Sequence, residues 1–81
     1  MEPPDGWEEV DGALQRGFRF DDFAGAINYV NRIAEESERA NHHPDIAIHW
    51  NRVTLRWWTH SENAITTRDV ELAQRSDALA R

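Results

Sequence analysis

The chain has 81 residues and a mass of 9.4 kDa, which predicts a single domain with a small core and makes self-association an expected source of added stability. Fifteen acidic residues against nine arginines, with no lysine, give a net charge of -6, and this disfavours direct binding to the phosphates of nucleic acids. The absence of cysteine excludes disulfides, thiolate catalysis and zinc–thiolate sites.

The N-terminal tail, residues 1–6, is acidic and proline-rich and has no charged-then-apolar pattern typical of a signal peptide. No run of apolar residues is long enough to span a membrane. We therefore expect one soluble, cytoplasmic domain over residues 7–81, with no contact to a membrane.

A β-hairpin is predicted at the start of this domain. Asp11-Gly12 is a two-residue turn signal that joins a strand over 7–10 to a second strand over 13–20. Leu14, Phe18 and Phe20 fall on one side of the second strand, so we expect them to face the core.

A helix follows, capped by Asp21 or Asp22 and running to about Ala40. Apolar residues recur there at helical spacing and define one buried stripe, made of Phe23, Ala26, Ile27, Val30, Ile33 and Ala34.

The end of this helix carries several polar residues. Glu38 lies at the border of the apolar stripe, where a carboxylate needs a partner, and His42 is the nearest candidate at i+4. Pro44 forces His43 out of helical geometry and therefore ends the helix.

Two more strands are predicted from alternating apolar residues. Their core side holds Ile46, Ile48 and Trp50 from the first strand and Val53, Leu55 and Trp57 from the second. The polar pair Asn51-Arg52 is interpreted as a two-residue turn, which places Ile48 opposite Leu55. The same register places His60 opposite His43.

The last element is a helix that begins at the capping box Thr66-x-x-Asp69 and runs to the C-terminus, with Ile65 and Val70 at hydrophobic-staple positions. The element order is therefore β-β-α-β-β-α. We expect an α+β fold of two layers, in which a four-stranded antiparallel sheet carries both helices on one face.

Three of the four histidines converge in this arrangement: His42, His43 and His60. Imidazole gives and takes protons near neutral pH, so the cluster is typical of acid–base catalysis. Two alternatives stay open, a metal site, because imidazole is a common ligand, and incidental packing of polar groups. Neither an HExxH motif nor a cysteine pair supports the metal. His49 lies on the side of its strand opposite the core residues, and we assign it no role.

The spacing of these residues resembles that of a known family. Glu38, His42-His43-Pro44, Trp50, His60 and Asp69 are similar in their intervals to the signature of the pterin-4a-carbinolamine dehydratases, also known as dimerisation cofactors of a homeodomain transcription factor. The resemblance covers nearly the whole chain and includes Gly6-Trp7, Phe18-x-Phe20-x-x-Phe23, Thr59-His60 and the segment 65–69. Family members commonly have a further helix before the Gly-Trp pair, where this chain has five residues, so we expect a short form.

The resemblance implies dehydration of 4a-hydroxytetrahydropterin to quinonoid dihydropterin and water, in tetrahydrobiopterin recycling, without a cofactor or a metal. His42 and His60 would be the acid–base pair. His43 would hold the pterin and assist. Glu38 would orient His42 by accepting its other N–H.

Thr59, Arg68 and Asp69 complete the residues that the resemblance places near the substrate. From the residues alone, Asp69 is first a capping residue, with a stability role, and Arg68 is an exposed side chain. Trp58, beside Arg56 on the open side of the sheet, is typical of a subunit contact, and we expect a homodimer or homotetramer. The alternative to an enzyme is the same fold used as a non-catalytic dimerisation cofactor or assembly factor.

Overall fold

Four antiparallel strands form one sheet, and two helices complete the predicted α+β fold. The computed structural model describes residues 2–81; residue 1 of the predicted tail lies outside them. The elements are β1 (Glu8–Val10), β2 (Ala13–Arg19), α1 (Phe23–Ala40), β3 (Asp45–His49), β4 (Arg52–Trp57) and α2 (Thr67–Leu79). The sheet order is β1-β2-β4-β3. Among the described residues, no helix has the length and apolar character needed to cross a membrane.

One core lies between the sheet and the helices. It contains Trp7, Leu14, Phe18, Ala26, Tyr29, Ile33, Val53, Leu55, Trp57, Leu72 and Ala73. Two polar side chains are satisfied within it, since the Tyr29 hydroxyl donates to the Ser76 carbonyl at 2.9 Å and Trp57 Nε1 donates to Ser76 Oγ at 3.0 Å. The predicted core side of β2 and β4 is confirmed, whereas Phe23, at the start of the α1 stripe, is half exposed.

Capping residues fix both ends of α1. Asp22 is the N-cap, and its Oδ1 accepts the backbone N–H of Gly25 at 2.7 Å. Asn41 ends the helix with a left-handed φ of 52°. A left-handed residue redirects the chain, so the histidines that follow leave the helix in different directions. His42 is buried and His43 is exposed.

The predicted register between β3 and β4 is wrong by two residues. Ile48 pairs with Val53, not Leu55, because Trp50-Asn51 forms the turn in place of Asn51-Arg52. The shift is an even number of residues, so Ile46 and Ile48 keep the predicted side of the sheet. The correction therefore changes which residues face each other but not which residues point toward the helices.

Asn51 determines the position of this turn. Its side-chain Nδ2 donates to the carbonyl of Phe20 at 2.9 Å, and the Phe20 N–H donates to the Asn51 carbonyl at 2.8 Å. These bonds tie the turn to the end of β2. Trp50 is left with a φ of 54° and an exposed fraction of 70%, so its predicted place in the core is also wrong.

Strand β3 lies at the edge of the sheet, and both helices pack mainly over β2 and β4. Ile46 and Ile48 are therefore 38% and 37% exposed in the single chain, although they lie on the core side. They lie on the predicted side of the sheet, but the prediction that they are buried is wrong.

Candidate active site

His42 is joined to the first turn of α2. Its Nε2 lies 2.6 Å from Oδ1 of Asp69, and its ring stacks on Trp57 with centroids 5.9 Å apart. Asp69 Oδ2 accepts hydrogen bonds from Thr59 Oγ1 at 2.7 Å and from the Thr66 N–H at 2.9 Å. Because a carboxylate only accepts, His42 Nε2 carries the proton of their bond. Nδ1 is then the ring nitrogen left for a ligand.

His43 lies at the surface and pairs with Glu38, with Nε2 2.5 Å from Oε2. The predicted pair of Glu38 with His42 is therefore wrong. The i+4 relation holds only while the chain stays helical, and Asn41 ends the helix before either histidine. The left-handed turn at Asn41 brings His43 back over Glu38 and sends His42 toward Asp69.

His60 lies in a tight loop between β4 and α2. The loop is closed by Thr59 and Ala64, whose backbone bond measures 2.9 Å, and the Asn63 N–H donates to the His60 carbonyl at 3.2 Å. The predicted pairing of His60 with His43 across the sheet is wrong, because β3 begins at Asp45 and β4 ends at Trp57. His60 reaches the other histidines through its loop instead.

One cavity of about 210 Å³ brings the three histidines together. It is lined by Asn41, His42, His43, Trp58, Thr59, His60, Ser61 and Arg68. A larger hollow, of about 360 Å³, includes Asp77, but that carboxylate already accepts bonds from Arg16 and Trp7. The histidine cavity is therefore the candidate active site, and His49 at the end of β3 is not among its lining residues.

Arg68 forms part of the rim. Its Nη2 donates to the Ala40 carbonyl at 2.8 Å and to the Asn41 carbonyl at 3.4 Å, so it satisfies backbone groups that the end of α1 leaves without helical partners. The exposure expected from the residue alone is observed. The side chain lies at the cavity without a close carboxylate, since the described residues give it no ion pair.

Asp69 does more than the sequence alone indicated. The predicted helix-start bond with Thr66 is present, and the same carboxylate also holds His42, which is 27 residues away in the chain. No spacing rule links residues so far apart. Only the family resemblance put both of them at one site.

The arrangement can exchange protons at two points of one ligand, because a buried imidazole and an exposed imidazole share the cavity. Between residues 2 and 81, no group of three or more histidine, aspartate or glutamate side chains is arranged to hold a metal ion.

Residues 1–79 match the model of the pterin 4 alpha carbinolamine dehydratase family. The chain belongs to this family. The resemblance predicted from the spacing of the histidines is therefore confirmed.

Relatives of this family member include a protein of Mycobacterium avium (strain 104), 50% identical over 70 residues, and one of Thermosynechococcus vestitus, 45% identical over 75 residues. The alignments cover 86% and 93% of this chain and 74% and 79% of the relatives. Both relatives are provisionally named pterin-4-alpha-carbinolamine dehydratases.

Solved structures share the fold of this dehydratase family member. A transcriptional coactivator/pterin dehydratase from Brucella melitensis is 38% identical and superposes with a TM-score of 0.89, over 95% of this chain and 84% of the other. A pterin dehydratase-like protein identified as a RuBisCO assembly factor in the alpha-carboxysome gives a TM-score of 0.75 at 23% identity, over 91% and 86%. At that identity, the second likeness shows the fold alone.

Proposed function

We propose that this chain dehydrates 4a-hydroxytetrahydropterin to quinonoid dihydropterin in the recycling of tetrahydropterins, which include tetrahydrobiopterin. The observation that carries the proposal is the convergence of His42, His43 and His60 on one cavity in a member of this family. In the reaction, the C4a–O bond breaks as the hydroxyl takes up a proton and leaves as water. The C4a–N5 double bond forms as N5 loses its proton. Acid–base groups placed at both atoms are what the reaction requires.

His42 and His60 are the proposed acid–base pair. Asp69 takes the orienting role that the sequence assigned to Glu38, because it bonds His42 Nε2 and fixes which ring nitrogen carries the proton. Thr59 in turn holds Asp69. No metal, cofactor or covalent nucleophile enters the proposed steps.

The two remaining side chains at the rim are proposed to bind the substrate. His43 is exposed and held by Glu38, which leaves its Nδ1 available to the pterin. Arg68 lines the cavity with a guanidinium that donates to backbone carbonyls, and its other N–H groups can donate to acceptor atoms on the edge of the pterin ring. Neither residue moves a proton in the proposal.

The decisive test is the decay of the carbinolamine, followed by absorbance. We expect His42→Ala and His60→Ala each to slow the reaction by about 10² to 10⁴-fold, and the double variant to lose less than the product of the two factors, because both act on one transition state. His49→Ala is the matched control, since that histidine lies outside the cavity lining. Wild-type decay no faster than the uncatalysed background would refute the proposal.

A second measurement separates the proposal from a metal site. We expect EDTA to leave turnover unchanged, because the proposed proton transfers need only imidazole groups. Loss of activity with EDTA, restored by an added divalent cation, would support a catalytic metal site instead.

The alternative is a non-catalytic assembly or dimerisation factor. It is favoured by one observation, that a protein identified as an assembly factor has the same fold, so the fold by itself does not make an enzyme. The three-histidine cavity favours the dehydratase, since a scaffold has no need of it. Purification of a stoichiometric protein partner, together with no turnover, would support the alternative. The cytoplasmic location expected from the sequence stays a prediction.

A further inference from the structure

His60 is the one cavity histidine that no carboxylate holds. His42 is bonded to Asp69 and His43 to Glu38, whereas the ring nitrogens of His60 have no hydrogen-bond partner among residues 2–81. An exposed side chain without such a partner samples several rotamers. A group that moves protons must instead stay near one geometry.

The indole of Trp58 is the contact that restrains this ring. The ring centroids of Trp58 and His60 are 4.0 Å apart, with the planes at 40°, and both side chains line the cavity. The face of an indole also attracts cations, so the contact persists when His60 carries a proton. Trp58 leaves both imidazole nitrogens free, which a hydrogen bond to a carboxylate would not.

Trp58 is itself anchored. Its Nε1 donates to Oδ2 of Asp45 at 3.2 Å. Asp45 begins β3 and pairs in register with Arg56 of β4, and Trp58 directly follows the last residue of β4. A chain of contacts therefore runs from the edge strand through the indole to the imidazole.

We infer that Trp58 is a positioning residue that orients His60 within the cavity, and that Asp45 fixes the indole for this purpose. The inference rests on the proposed function, because orientation of His60 matters only where His60 transfers protons. The expectation that Trp58 marks a subunit contact stays a prediction beside this role.

The first test reads the contact between Trp58 and His60 without any substrate. An indole at this distance displaces the ring-proton resonances of His60 in the NMR spectrum. We expect Trp58→Ala to move them to the positions of a free histidine, Trp58→Phe to restore most of the displacement, and Asp45→Ala to give an intermediate value. Trp50→Ala, which removes an exposed tryptophan outside the cavity, is the matched control. Unchanged His60 resonances in folded Trp58→Ala would overturn the inference.

The second test reads the catalytic consequence. We expect Trp58→Ala to lower kcat by roughly 10-fold or more, through misplacement of His60, with a smaller change in KM, and Trp58→Phe to recover most of the loss. An unchanged kcat in folded Trp58→Ala would overturn the inference. A wild-type chain without turnover would refute the proposed function instead, and the NMR displacement would still decide whether His60 lies against the Trp58 indole in solution.

Discussion

Asp69 is fully buried, and its carboxylate accepts hydrogen bonds from the His42 ring, the Thr59 hydroxyl and the Thr66 N–H. Loss of a helix cap alone costs about 1 kcal/mol. Asp69→Ala would leave the His42 ring and the Thr66 N–H without their acceptor, whereas the Thr59 hydroxyl keeps the Thr66 hydroxyl as a partner at 2.7 Å. Each unpaired buried donor costs about 1–3 kcal/mol, so we expect urea unfolding to show a loss of about 2 kcal/mol or more.

The catalytic part of the Asp69 role is tested by Asp69→Asn, which keeps the volume of the side chain. We expect kcat to fall by about 10²-fold. The single amide oxygen is held by the Thr59 and Thr66 donors, so the NH2 group faces His42 Nε2 and favours the wrong tautomer of the ring. The matched control is Asp77→Asn on the same helix, whose carboxylate holds Arg16 and Trp7. The control should affect stability and leave kcat of the folded protein unchanged. Equal kcat in the two variants would show that Asp69 serves folding alone.

Tyr29 makes stability depend on alkaline pH. Burial raises the pKa of its hydroxyl above the ordinary value, and the negative charge of Asp77 raises the pKa further. The folded protein therefore keeps the proton at a pH where the unfolded chain has begun to lose it. The stability linked to this proton is complete below the ordinary tyrosine pKa of about 10 and is lost as the pH rises above it.

We expect the urea midpoint of the wild type to fall as the pH is raised from about 9.5 to 11.5. Tyr29→Phe should be less stable at neutral pH, because the Ser76 carbonyl loses a donor, yet its midpoint should vary less over the alkaline range. Tyr29 is the single tyrosine of the chain, so ultraviolet absorbance follows its titration directly. Parallel pH profiles for the two proteins would contradict this account.

At the scale of the elements, the turn between β3 and β4 carries strain. Trp50 has a left-handed φ of 54°, which costs a non-glycine residue roughly 1 kcal/mol, and its exposed indole contributes little burial. We expect Trp50→Gly to raise the free energy of unfolding by about 0.5 to 1 kcal/mol in urea titration. Trp50→Ala removes the indole and keeps the strain. An equal gain in both variants would assign the effect to the indole.

The same hairpin shows where prediction from the sequence reaches its limit. Alternating apolar residues identify the side of β3 and β4 that faces the core, and this is confirmed. They fit registers that differ by two residues equally well. The choice depends on the bonds between Asn51 and Phe20, which are 31 residues apart, and no local pattern contains them.

The site was predictable to a similar extent. The sequence pattern indicated which histidines meet. It also paired Glu38 with His42 by the i+4 spacing of a helix, but the helix ends at Asn41, where φ is 52°. The role of Asp69 depends on a contact between the end of α1 and the start of α2. Contacts of this kind follow from tertiary packing, so only the resemblance to a family could anticipate them.

At the scale of the whole molecule, the edge strand β3 supports the expectation of a homo-oligomer. Ile46 and Ile48 are more than one-third exposed, and an uncovered strand edge favours pairing with another chain. We expect light scattering to give at least twice the mass of one chain. Ile48→Glu should shift the protein to a single chain, whereas Ala47→Glu, on the other side of the strand, should not. A wild-type mass of one chain would contradict this prediction.

The cavity has two walls of different kinds. On one side, His42 and Thr59 line the cavity and are buried, and Asp69 behind them binds both and joins α2 to the end of β4. On the other side, His60 and Trp58 are only partly covered and belong to the loop and its border. Substitutions in the buried wall destabilise the fold, so natural selection removes them before any change in activity can be favoured. Substitutions in the exposed loop do not carry this cost in stability. Descendants of this chain therefore have room to acquire new substrate preferences at residues 61–63 of the loop, and little room to do so at the wall that keeps α2 folded.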